Sequence, residues 1–129
     1  MKPMTNEEFR ILIVDDNCNF RELLKKTLQW RFPTTAIDMA ADGGEALRKI
    51  NTFLPNLIFM DIQLPGENGL TLTTKIKATR PDIIILIMTF YDTPEYRESA
   101  FQCGADRFLA KTSWNSSKLE ELVNHYQKV

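Results

Sequence analysis

The chain has 129 residues, 43% of them hydrophobic, a length and apolar content that suit one buried core. Sixteen basic residues against 17 acidic ones leave a formal net charge of −1, so no global field draws the chain to nucleic acid or to an anionic membrane, and direct nucleic-acid binding by this segment is not expected. The polar stretch Met1 to Glu8 has no apolar core for a signal peptide, and no apolar run reaches the roughly 20 residues of a membrane span.

Apolar runs of strand length alternate along the chain with stretches of helical period, the pattern of successive βα units. The first run, Ile11 to Val14, is apolar throughout, as a strand covered on both faces must be, and it stops at Asp15-Asp16. Phe20, Leu23, Leu24, Thr27 and Leu28 then repeat with the spacing of a core-facing helical stripe that Pro33 closes. Ala36 to Ala40 alternates Ile37 and Met39 with Asp38 and reads as an edge strand. Ala46, Leu47, Ile50 and Phe53 stripe a second helix, with Asp42 ahead of Gly43-Gly44 as its N-cap.

Leu57 to Met60 is a third, wholly apolar strand ending at Asp61. A loop with Pro65, Gly66 and Gly69 leads to the most weakly striped helix, about 70–79, where Thr73 and Thr74 share the stripe with Leu70 and Ile76. Ile83 to Met88 is the fourth strand and ends at Thr89; Thr93-Pro94 supplies an N-cap and first-turn proline for a helix that Gly104 terminates. Phe108 to Ala110 is a short fifth strand ending at Lys111, and Leu119, Leu122, Val123 and Tyr126 stripe the last helix. Five βα units predict a doubly wound α/β fold of flavodoxin-like type: a five-stranded parallel sheet of order 2-1-3-4-5 with helices on both faces. Such sheets bind ligands at the carboxyl ends of their strands, where the strand order reverses.

That rim collects the chemistry. Asp15 and Asp16 end strand 1, Asp61 ends strand 3, Thr89 ends strand 4 and Lys111 ends strand 5. Singly, each has a structural explanation, as a helix cap or a wet strand end. Together, three carboxylates at neighbouring strand ends repel one another unless cations offset them, and a divalent metal with Lys111 would do so. Oxygen-only ligands at a partly wet rim suit magnesium, whereas zinc would want His or Cys. A carboxylate beside magnesium, with a hydroxyl and an ammonium opposite, is an arrangement for phosphoryl transfer to the carboxylate.

The ordered set Ile-Val-Asp15-Asp16-Asn, Met60-Asp61-Ile-Gln-Leu-Pro65-Gly66-Glu-Asn-Gly69, Thr89 and Phe108-Leu-Ala-Lys111 resembles the receiver domains of bacterial two-component response regulators, over about Arg10 to Tyr126. The resemblance divides the chain into a polar segment, 1–9, and a receiver domain, 10–129. It implies that Asp61 accepts a phosphoryl group from a phosphohistidine on a sensor histidine kinase. Asp16 and Asp61 would bind Mg2+ directly, Asp15 through water, and the backbone carbonyl of Gln63 would be the further protein ligand. Thr89 and Phe108 would form a switch pair that changes the surface of helix 4, strand 5 and helix 5. It also implies a cytoplasmic signalling switch rather than an enzyme, acting on an output domain or downstream protein, with a homodimer formed on phosphorylation through helices 4 and 5 or through helices 1 and 5.

Two departures from the family pattern stand out. Lys111 is followed by Thr112 where many receivers have proline, and Thr89 by bulky Phe90 where a small residue is usual. Both occur in receivers that precede helix-turn-helix output domains, which points to an output in transcription. Because a cis bond before a non-proline residue costs roughly 2.5 to 4 kcal/mol, the Lys111–Thr112 bond is expected to be trans. Phe90 and Tyr91 are expected to shield an aspartyl phosphate from water and prolong its life.

The alternatives are a pseudo-receiver, an interaction module without phosphorylation, and a haloacid-dehalogenase-like phosphatase. The phosphatase would place an Asp-x-Asp nucleophile after strand 1, where this chain has adjacent acids. A flavin or dinucleotide carrier would need a phosphate loop where Asp15-Asp16-Asn17-Cys18 would repel phosphate. Cys18 and Cys103, without CxxC spacing or a His cluster, read as reduced thiols. His125 reads as a surface residue, and Trp30 and Phe32 as residues packed on the sheet, unless one of them forms an exposed contact.

Overall fold

The structure, a computed structural model, describes residues 8–127. Most of the expected polar segment therefore lies outside the described residues. Five strands, β1 (Arg10–Val14), β2 (Ala36–Ala40), β3 (Leu57–Met60), β4 (Ile84–Thr89) and β5 (Arg107–Ala110), alternate with five helices, α1 (Cys18–Arg31), α2 (Gly43–Thr52), α3 (Gly69–Thr79), α4 (Pro94–Gln102) and α5 (Ser116–Gln127). The strands form one parallel sheet of order β2-β1-β3-β4-β5, as the alternation predicts.

The period of two along each apolar strand sorts its side chains into two cores. Leu12, Val14, Ile58, Met60, Ile85 and Ile87 pack with Ala46 and Ile50 of α2, Leu72 and Ile76 of α3, and Ala100 of α4. On the other face Ile11, Ile13, Leu57, Phe59, Leu86 and Met88 meet Leu24 and Leu28 of α1 and Leu119 and Val123 of α5. β2 is an edge strand, half-exposed along most of its length, with Ile37 and Met39 packed on the second core.

The turn chemistry follows the expected signals. Asp42 caps α2 by accepting from the Glu45 N–H at 2.8 Å, Thr93 caps α4 ahead of Pro94, and Gly104 adopts φ +105° just past the α4 C-terminus. No cis peptide bond occurs among the described residues, so the Lys111–Thr112 bond is trans.

Several side chains depart from the expected stripes. Leu23 is 52% exposed, because α1 buries only the narrow row of Leu24 and Leu28 against the sheet. In α3 the buried row is Leu72, Thr73 and Ile76, with Leu70 half-buried against the first core as expected, while Thr74 is exposed. Thr73 tolerates burial because its hydroxyl donates to the Gly69 carbonyl one turn back, at 2.8 Å. Phe32 packs on the second core, but Trp30, at 84% exposure, does not reach the sheet. His125 is exposed, edge-on to Tyr126.

Leu54, just past α2, holds φ +57° at 46% exposure, so a β-carbon sits in the left-handed region with only partial burial of the side chain to offset it. Leu54→Gly is expected to stabilise the domain by about 0.5 to 1 kcal/mol in urea unfolding, since glycine occupies this region without the steric penalty.

Candidate functional site at the carboxyl rim of the sheet

The rim inherits its geometry from the sheet ladder, which continues one residue past the strands. The Asp15 N–H donates to the Ala40 carbonyl at 3.1 Å, the Asp61 N–H to the Val14 carbonyl at 3.0 Å, and the Lys111 N–H to the Thr89 carbonyl at 2.8 Å. Each polar residue that ends an apolar run is therefore anchored through its own backbone. Their side chains converge because the strands are parallel and in register.

Lys111 is 8% exposed, and its Nζ lies 2.6 Å from Asp15 Oδ2 and 3.0 Å from Asp61 Oδ2. The second oxygen of each carboxylate is held by a backbone donor: Asp15 Oδ1 accepts from the Asn17 N–H at 2.9 Å, and Asp61 Oδ1 from the Ile62 N–H at 2.7 Å. Asp16 is exposed, but one carboxylate oxygen from each of Asp15, Asp16 and Asp61 falls within a group spanning 4.8 Å. Three acids thus face one ammonium. An all-oxygen donor set with a surplus of negative charge and one member open to water fits a hard divalent cation that keeps part of its hydration shell.

Burial raises the Asp15 pKa above the ordinary carboxylate range, and the hydrogen bonds from Lys111 and Asn17 only partly offset it; the nearby Asp61 charge adds to the rise. For Lys111 burial acts in the opposite sense. The hydrogen bonds and charges of Asp15 and Asp61 outweigh it and hold the ammonium above the ordinary lysine value of 10.5.

The surroundings of Lys111 are aromatic. Its ammonium sits 4.3 Å from the centroid of Phe20, from the first turn of α1, and 5.1 Å from that of Phe90, just past β4. Phe90 is 63% exposed, so it covers the mouth of the site from the solvent side. Tyr91 follows it, and its hydroxyl accepts from Gln63 Nε2 at 3.2 Å, bridging the loops after β3 and β4. The sequence reading assigned Phe20 to the helical core stripe and missed its stacking on Lys111; its place five residues after Asp15, in the first turn of the following helix, is the signal that could have found it.

Thr89 is fully buried at the end of β4, and its hydroxyl oxygen accepts from the Tyr91 N–H at 3.3 Å rather than pairing with Asp61 or Lys111. Phe108 is buried in the first core, with the Arg97 guanidinium 4.8 Å from its ring centroid and Arg97 paired to Asp92 at 2.8 Å. Gly69 closes the rim from below. A β-carbon there would lie 1.9 Å from the Asp61 carbonyl oxygen, so only glycine lets α3 start this close to β3.

The sequence profile of the response regulator receiver domain matches residues 11–124, and the chain belongs to that family. Among its relatives, the oxygen regulatory protein NreC of Staphylococcus carnosus is 36% identical over 105 residues, covering 81% of this chain and 48% of that protein. The response regulator MprA of Mycolicibacterium vanbaalenii is 34% identical over 114 residues, covering 88% of this chain and 47% of that one. The chain spans about half the length of the curated relatives it matches.

Solved structures agree on the fold. The signal receiver domain of a DNA binding response regulator from Colwellia psychrerythraea superposes with a TM-score of 0.89 at 26% identity, over 95% of this chain and all of that one. A LuxR family two-component response regulator from Aurantimonas gives 0.83 at 31% identity, over 92% and 84% of the two chains. The chain is thus a signalling module, and no helix among the described residues is long and apolar enough to cross a membrane.

Replacing Lys111 by Met leaves two buried carboxylates facing each other without their shared cation, and is expected to cost about 2 to 3 kcal/mol at pH 7, toward the lower end for a broken buried pair because the rim is partly wet. The pH dependence has a definite sign. A lysine whose pKa is raised by folding stabilises fully below its unfolded value and loses that contribution as pH rises through the folded one. Urea unfolding should therefore show a wild-type to Lys111→Met gap that holds from neutral pH and closes above about pH 10.5.

Proposed function

We propose that this chain takes a phosphoryl group on Asp61 and that the remaining rim residues bind, orient and read that group. The observation that carries the reading is the position of Asp61 within the row. The order β2-β1-β3-β4-β5 sets the acidic pair of β1 on one flank of Asp61, and Thr89 of β4 and Lys111 of β5 on the other. A phosphoryl group on Asp61 would have the hydroxyl and the ammonium on one side and the cation-binding acids on the other.

The residues fit Mg2+, with Asp16 and Asp61 as direct ligands, Asp15 acting through water and the Gln63 backbone carbonyl completing the protein's share. When bound, magnesium supplies positive charge against the transferring oxygens. An Asp61 carboxylate oxygen attacks phosphorus; the phosphorus–nitrogen bond of a donor phosphohistidine breaks, and the imidazole leaves with a proton from solvent. Lys111, already 3.0 Å from Asp61 Oδ2, neutralises charge on the arriving group while keeping its bond to Asp15. Phe20 and Phe90 shield that ammonium from water and so strengthen its field.

The readout follows from the bond that Thr89 makes now. Because its oxygen accepts from the loop, its proton is free for a phosphoryl oxygen; movement of the side chain toward that oxygen would draw the β4–α4 loop with it, and Phe108 with its stacked Arg97 would register the shift on the surface of α4, β5 and α5. A sensor histidine kinase as donor, an output domain or downstream protein that controls transcription, a phosphorylation-dependent homodimer and a cytoplasmic location complete the reading. The net charge of −1 supports an output through protein contacts rather than through direct nucleic-acid binding by this segment.

Incubation with Mg2+ and a small phosphodonor should add the mass of one phosphoryl group to the intact chain, and Asp61→Asn should abolish the addition. A chain that takes no phosphoryl group would be an interaction module instead, and an addition that survives Asp61→Asn would assign the chemistry to another residue. The covering aromatics make a further prediction. Phe90→Ala combined with Tyr91→Ser opens the mouth to attacking water and should hasten decay of the phosphorylated form, followed by the same mass measurement; unchanged decay would remove the shielding role.

A further inference from the structure

Asp16 is the exposed member of the acidic cluster, and its carboxylate makes no side-chain hydrogen bond among the described residues. Among the described residues only the backbone sets the direction of its Cα–Cβ bond, and the two peptide planes that flank it are each held by one neighbour. On the far side the Asn17 N–H donates to Asp15 Oδ1 at 2.9 Å. On the near side the Asp15 carbonyl accepts from Arg21 Nη1 at 2.7 Å.

The second bond has no substitute. β1 ends at Val14, and although the Asp15 N–H still pairs with the Ala40 carbonyl, the Asp15 carbonyl receives no backbone N–H among the described residues. A carbonyl on a residue 2% exposed needs a partner, and the guanidinium supplies a charge-assisted one. The donor also sits on a rigid element. The Arg21 N–H bonds the Asn17 carbonyl at 3.0 Å in the first turn of α1, and Asn17 caps that helix through the Phe20 N–H at 3.0 Å.

We infer that Arg21 is a positioning residue for metal binding: by holding the Asp15 carbonyl it fixes the Asp15–Asp16 peptide plane and so pre-orients the Asp16 carboxylate toward the cation. The inference rests on the reading of Asp16 as a direct Mg2+ ligand. It also differs in sign from a simple effect of charge. Removing a cation close to three acids would by itself tighten binding of a divalent ion, whereas losing the orientation of a ligand weakens it.

The test is calorimetric titration of Mg2+ into the wild-type chain, Arg21→Met, Arg21→Lys and Asp16→Asn, with folding checked by circular dichroism. Arg21→Met, which removes the donors but keeps the apolar stem, should weaken Mg2+ binding about 10-fold, in the range of lost outer-shell support. Arg21→Lys, which keeps a charged donor without the planar fork, should fall between that variant and the wild type. An affinity in Arg21→Met equal to or tighter than wild type overturns the inference. If Arg21→Met does not fold, Arg21→Lys carries the test, and an affinity equal to wild type overturns it. A wild-type chain that binds no Mg2+, or Asp16→Asn binding as well as wild type, overturns instead the metal reading on which the inference stands.

Discussion

One buried ammonium shared by two strand-end carboxylates is the constraint on which the rest of the site depends. Lys111 reaches Asp15 and Asp61 together, and both acids commit their other oxygen to a backbone N–H. The arrangement is locally satisfied but globally unbalanced, with Asp16 a third acid that no side chain answers among the described residues. Burial of Asp15 and Lys111 makes each dependent on the other, since either alone would be an uncompensated charge at a largely dry position. The residual negative charge is what a divalent cation would bind, and the contact of Asp61 with both the acidic cluster and Lys111 is what a phosphoryl group would exploit.

The scaffold makes this possible by extending the ladder one residue beyond β1, β3 and β5. Val14 and Met60 end their strands in register, as do Thr89 and Ala110, with β4 running two residues past the level of Met60. Gly69 brings α3 against the Asp61 carbonyl, where any side chain would collide, and Arg21 ties the loop after β1 to α1. The rim is therefore over-determined by backbone contacts. Stability at the apolar strands and function at their ends are separated along each strand by a single residue.

Much of this was legible in the sequence, for identifiable reasons. Strands apolar on both faces admit few alternatives, so Ile11 to Val14 and Leu57 to Met60 stand out, and the polar residue that stops each run is the site residue itself. Turn residues such as Asp42, Thr93 and Gly104 act locally and were equally readable. The failures lie where tertiary packing decides. Leu23 and Thr74 satisfy a helical stripe as well as Leu24 and Thr73 do, and only the helix's rotation on the sheet selects between them. Trp30 carries the largest apolar side chain of α1 yet points to solvent, because two residues past Leu28 it falls on the helix face away from the sheet. Phe20 and Arg21 were missed as site residues because their roles come from contacts with Lys111 and the Asp15 carbonyl that no spacing rule encodes.

The central claim is that Asp61, and no other acid of the rim, carries the phosphoryl group. Borohydride reduction of the phosphorylated chain, followed by peptide mass mapping, tests it most directly, because only a carboxylate activated as an acyl phosphate is converted to an alcohol. The account predicts conversion of Asp61 to homoserine with Asp15 and Asp16 intact. Conversion at Asp15 or Asp16, or a phosphorylated chain that yields no homoserine, would contradict it.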